Sequence, residues 1–131
     1  MKIFLGIAAV LAWLCALALL LAPTRFYAPT GMSLTPILAT LAQAHGATLF
    51  GLGVINWFAR SAEGRGLTGI LLGNIFVQAL SLVVVIRTMM LGAGVGAAPG
   101  IIIHVVLGAC FSYFFLKVRT EGVQTAAIAR T

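Results

Sequence analysis

The chain has 131 residues, of which 62% are hydrophobic and 8% charged, with a net charge of +6 and a mean hydropathy of +1.16. About a quarter of the residues of a water-soluble domain are charged, so water cannot wet most of this surface and lipid is its expected solvent. The length allows one compact unit rather than two domains, and the basic residues are scattered at the edges of apolar runs, which argues against the clustered basic face that a nucleic-acid partner needs.

The first apolar run covers residues 3–22. Lys2 ahead of it resembles the positive start of a signal peptide, but the apolar core is too long and no small-x-small site follows cleanly. Leu14 before Cys15 also fails the small residue that a lipoprotein site wants. APTRFYAPTG (22–31) carries two prolines and reads as a loop. The second run is 36–59, with Thr35 placed to cap it and Pro36 suited to its first turn. RSAEGRG (60–66) is a tight polar connection, and the third run is 67–90. GAGVGAAPG (92–100) is a glycine-rich, uncharged break, and 100–116 forms the fourth run. The polar tail 117–131 is predicted to fray. Each run is long enough to cross a hydrocarbon core at about 1.5 Å per residue, and helices satisfy their backbone polar groups internally, as lipid requires. Cys15 and Cys110 sit inside apolar runs without CxxC or metal-type spacing and read as small buried hydrophobes.

Orientation follows from the basic residues. Lys2, Arg60, Arg65, Lys117, Arg119 and Arg130 fall on one side, and Arg25 and Arg87 on the other. The predicted fold is therefore an all-α, integral-membrane four-helix bundle of antiparallel up-down topology, with both termini cytoplasmic. Phe26 and Tyr27 fall near the outer interface and Trp57 near the inner one. Arg87 is read as an anchor that snorkels to the outer headgroups.

The polar residues inside the runs raise the functional question. In QAHGATLFG (43–51), His45 stands eleven positions before Asn56, nearly eclipsed with it at about 100° per residue. Ala42, Gly46, Leu49 and Gly53 lie on the adjoining arc, a small-residue strip of the kind that lets helix backbones approach in lipid. Gln43 points about 160° away from His45. On the third run Asn74, Gln78 and Ser81 fall within about 60° of one another. The short connection at 60–66 makes runs two and three antiparallel neighbours and brings Asn56 level with Asn74, which predicts an interhelical amide contact. Run four carries His104, with Gly108, Phe111 and Phe115 along the same face. Helix-packing candidates are thus Gly46, Gly53, Asn56, Asn74, Ser81 and Gly108. Ligand-binding candidates are His45, Asn74, Gln78 and His104.

Several chemistries are disfavoured. The chain contains no Asp, and Glu63 and Glu121 lie in polar connections, so no Ser-His-acid triad or carboxylate pair forms within the membrane. No zinc spacing exists. GLGVIN lies mid-span without a preceding strand or a phosphate lysine, so it is no nucleotide loop. A haem or quinone held by His45 and His104 is the sharpest chemical alternative. The two predicted depths, roughly 14 Å and 7 Å below the helix starts, count against a shared iron. A proton-coupled carrier normally wants a membrane carboxylate, which is missing; an oligomeric channel lined by the amide stripe is the remaining transport alternative.

AQAHGATLFGLGVINWFAR, followed by a short basic turn and LLGNIFVQALSLVVV, resembles small four-helix bacterial membrane proteins, in particular the DoxX-like proteins. The likeness covers the layout of nearly the whole chain. It implies architecture and no catalytic residue, and the His45 and His104 pair is not part of that pattern. The reading as a whole is a small bacterial-type inner-membrane protein, non-catalytic, acting as an accessory or as a ligand- or lipid-binding component. Its expected partners are the bilayer and other copies or a larger membrane complex.

Overall fold

The computed structural model describes residues 1–93 and 95–128, with residues 123 and 125–128 described by backbone alone. Arg130 lies outside the described residues, as does Gly94 of the glycine-rich break. The chain forms α1 (Lys2–Leu21), a short α2 (Pro23–Tyr27), α3 (Pro36–Ala59), α4 (Gly64–Met90) and α5 (Ala98–Ile128), with 3-10 turns at Ala28–Thr30 and Val95–Ala97. No strand occurs among the described residues. Four of the helices are long and apolar enough to cross a membrane.

Local chemistry explains the ends. Pro23 disfavours helical geometry in the residue before it, and Ala22 takes φ −146° where α1 stops. The Thr35 hydroxyl accepts the Leu38 amide at 3.3 Å, and Pro36 occupies the first turn of α3. Gly64 opens α4 at φ +59°, a backbone region that a side chain rarely tolerates. Two differences from the sequence reading stand out. The proline-rich segment 22–31 is itself largely helical. α5 also continues beyond 116 to Ile128, into the tail expected to fray. In that tail Lys117 reaches Glu121 at 3.9 Å and the Thr120 hydroxyl donates to the Leu116 carbonyl, and neither proline nor a β-branched run interrupts the helix before Gly122.

Exposure is inverted relative to a soluble protein. Ile3, Leu21, Ile37, Met90 and Leu91 are each at least three-quarters exposed, whereas Asn56, Asn74 and Gln78 are 2%, 2% and 6% exposed. Apolar side chains turned outward and amides turned inward are what a hydrocarbon solvent selects.

The helices associate as two pairs. α1 packs along α3, α4 packs along α5, and α3 meets α4 only over a short stretch. The connection at 60–63 does return the chain, but the partner that α3 covers along its length is α1. The small-residue strip decides this. A Cβ added at Gly46 would lie 3.0 Å from the Ala16 carbonyl oxygen and from Leu19 Cβ, and one at Gly53 would lie 2.5 Å from the Trp13 indole. The two backbones therefore approach as closely as glycine allows. The pairs join at one end through a core of Leu5, Ala8, Ala59, Leu67, Leu71 and Phe111. There Phe4 meets Phe111 edge-on at 4.8 Å and stacks on Phe114 at 5.1 Å. At the other end the 3-10 turns touch, and Gly96 has no room for a Cβ against the Pro29 carbonyl.

Gly53→Ala tests this packing. The added methyl must displace the Trp13 ring, whose Nε1 donates to the Phe50 carbonyl at 3.2 Å. A loss of about 1–3 kcal/mol is expected, read as a lower unfolding midpoint in detergent by circular dichroism. Gly51→Ala on the same helix meets nothing within 4 Å and should cause no loss.

Candidate functional site

Two polar pairs occupy the interior, one helical turn apart on α4. In the first, Asn56 Nδ2 donates to Asn74 Oδ1 at 3.0 Å and Asn74 Nδ2 donates to Asn56 Oδ1 at 2.8 Å. Asn74 Nδ2 also donates to the Ile70 carbonyl, one turn back, at 3.0 Å. The contact expected from the hairpin register is made, and no buried side-chain polar atom among the described residues lacks a partner.

The second pair joins α4 to α5. Gln78 Oε1 lies 2.8 Å from His104 Nδ1. An amide oxygen can only accept, so a neutral His104 carries its proton on Nδ1 and presents Nε2 as an acceptor. Gln78 thus does for His104 what an outer-shell carboxylate or carbonyl does for a ligating histidine: it fixes tautomer and ring orientation. Gly108 faces Gln78, and a Cβ there would meet Gln78 Cβ at 3.5 Å, an ordinary contact. His104 itself is half-buried.

The other candidates divide. His45 lies on the Asn56 face of α3, but it is exposed and makes no hydrogen bond among the described residues. No hydrogen bond joins His45 to His104, but His45 lies close enough to act electrostatically on the His104 ring. Ser81 is half-buried and makes no interhelical hydrogen bond among the described residues. Arg25, Arg65, Arg87, Lys117 and Arg119 are exposed near helix ends, as anchors would be, and the Arg119 guanidinium lies 5.6 Å from the Phe115 ring centre. Cys15 and Cys110 are free and half-buried. No group of three His, Cys, Asp or Glu suited to a metal ion occurs among the described residues.

Three contacts have no counterpart in the sequence reading. Gln43 Nε2 donates to the Leu20 carbonyl at 3.0 Å, satisfying one of the last-turn acceptors of α1, which no glycine cap covers. Trp13 joins Phe50 and Trp57 in an aromatic ladder with ring centres 6.2 and 5.5 Å apart. Arg60 Nε donates to the Trp57 carbonyl at 2.8 Å while its guanidinium stacks 3.3 Å above the Trp57 ring. The available signal was i,i+3 spacing for Trp57 and Arg60; nothing in the sequence marks a side chain aimed at a distant carbonyl.

Compared with protein-family models, curated proteins and solved structures, the chain matches none.

The amide pair makes an asymmetric prediction. Asn56→Leu leaves Asn74 its bond to the Ile70 carbonyl, whereas Asn74→Leu strips the Asn56 side chain of both its hydrogen bonds. Asn74→Leu should therefore cost more, and the double replacement should recover part of the loss. A double-mutant cycle in detergent unfolding should give a coupling of about 0.6–2 kcal/mol.

Proposed function

We propose that this protein is a multi-pass component of a bacterial-type inner membrane. Its function is non-catalytic: it binds a lipid-dissolved ligand at the Gln78–His104 pair and associates with other helices. The observation that carries this reading is the engaged Nδ1 of His104 beside a half-buried ring. An imidazole fixed in that way presents Nε2 as a directed acceptor, suited to the hydroxyl of an amphiphile such as a quinol. The six basic residues on one side against two on the other support an up-down arrangement with both termini cytoplasmic. His45 supports a partner beyond the chain itself: an exposed imidazole within an apolar span, without an internal hydrogen bond, calls for a donor or acceptor from a ligand or a second copy. The layout likeness to DoxX-like proteins adds architecture only.

A haem held by both histidines is the alternative that their electrostatic proximity favours. A pore lined by the amide stripe is disfavoured because Asn74 is committed to Asn56, and Gln78 to His104.

Titration of the purified protein with a short-chain quinol should show saturable binding. His104→Ala should weaken it about tenfold, the loss of one directed hydrogen bond of roughly 1.4 kcal/mol, and Gln78→Leu should weaken it by a similar factor through loss of ring orientation. Unchanged affinity in both variants would remove this site. A Soret band in protein from haem-replete cells that disappears in His45→Ala as well as His104→Ala would favour the haem alternative instead.

A further inference from the structure

A different feature lies on the outer surface of the α1–α3 pair, at the end where the helix pairs join. A groove of about 490 Å³ runs along α1, with Lys2 and Arg60 at its mouth. Its wall is the stripe Ile3, Ile7, Val10 and Leu14, each between 45% and 81% exposed. A second hollow of about 410 Å³ shares Lys2, Trp57 and Arg60 and extends past Phe58 and Ser61 toward the polar connection. The two hollows meet at the Lys2–Arg60 gate.

The gate is built. Arg60 is held by its stack on Trp57 and by its Nε bond to the Trp57 carbonyl. Its stem and Nη1 cross α1 at Gly6, where a Cβ would sit 3.6 Å from Arg60 Cδ and 3.9 Å from Nη1. The guanidinium has no carboxylate partner there, because the one salt bridge among the described residues is Lys117–Glu121. Lys2 is exposed and likewise has no acidic partner among them. Two positive groups thus border an open, mostly apolar groove. From Ile3 to Leu14 the groove runs about 16 Å at 1.5 Å per residue, close to half of a hydrocarbon core of about 30 Å. A cationic mouth over an apolar slot one leaflet deep complements one occupant: a lipid with an anionic headgroup.

We propose that this groove is a binding site for an anionic phospholipid. The phosphate is held between Lys2 and Arg60, and one acyl chain lies along Ile3–Leu14. The proposal requires the chain to span a bilayer; it does not depend on the Gln78–His104 site.

The chain has two tryptophans; Trp57 lines the groove and Trp13 touches Trp57, so fluorescence reports occupancy. The full chain is reconstituted in phosphatidylcholine vesicles containing rising fractions of brominated phosphatidylglycerol or, in parallel, brominated phosphatidylcholine. The expected result is a preference for the anionic quencher of about fivefold or more, the lower end of what basic groups at a lipid surface give. Lys2→Gln and Arg60→Gln should each reduce that preference, while Arg65→Gln, an exposed basic residue at the same end outside the groove, should retain it. Equal quenching by the two lipids overturns the site, and so does an Arg65→Gln loss as large as that of Lys2→Gln. If Arg60→Gln fails to fold, exposed Lys2 carries the comparison. Absence of quenching by either lipid would instead show that the chain has not inserted, which overturns the membrane reading and this inference together.

Discussion

A carboxamide in hydrocarbon has no water to turn to, so it must find another polar group within the fold. Asn56 and Asn74 meet that demand in each other, with both donors and both acceptors of the contact engaged. The net stabilisation of such a pair is modest, on the order of 1 kcal/mol. The constraint it imposes is larger. Sliding α4 by one turn against α3 would part the amides by about 5.4 Å and leave the contact groups of both unsatisfied, at a few kcal/mol. Axial register between the two helix pairs therefore follows from two side chains, although α3 and α4 otherwise touch little. Packing within each pair is governed differently. Lipid gives helices no hydrophobic reason to associate, so α1 and α3 depend on dispersion at close approach, which Gly46 and Gly53 permit and the Trp13 ring fills.

α3 is the element that both systems share. Gly46 and Gly53 face α1, while Asn56 and Ala59 turn through the adjoining arc toward α4 and the common core. The rest of its circumference, including Ile37, Ile55 and Phe58, is exposed. Changing the glycine arc would loosen α1, and changing Asn56 would loosen α4. Because α4 carries Gln78 and pairs with α5, the position of His104 relative to α3 is inherited from the amide register.

Much of this was legible before the fold was known. The second run coincides with α3 from Pro36 to Ala59, because Thr35, Pro36 and the polar turn after Ala59 leave little ambiguity. The Asn56–Asn74 contact was legible too, since a short turn fixes the register of a hairpin and amides in an apolar span have few alternatives. What could not be read was the choice of neighbours. α1 between Ile3 and Leu21 carries no polar side chain beyond Cys15 and the Trp13 indole, so its faces look alike in sequence and nothing marked it as the partner of the glycine strip. Gln43 was equally opaque: its acceptor is the backbone of Leu20, and a backbone carbonyl leaves no trace in side-chain pattern. The Gln78–His104 bond fell between these cases. Both residues were singled out, but the loop between α4 and α5 is too long to fix a register, so their contact had to be seen in three dimensions.

The two histidines then differ in a way that composition alone conceals. His104 has its partner within the chain, and its remaining nitrogen is aimed by that partner. His45 stands nine residues into α3, about 14 Å below the helix start, too deep for so short a side chain to reach the headgroups as lysine or arginine does. It is exposed and without an internal hydrogen bond. No hydrogen bond within the described residues offsets the cost of placing His45 in so apolar a helix, whereas His104 has its Gln78 partner.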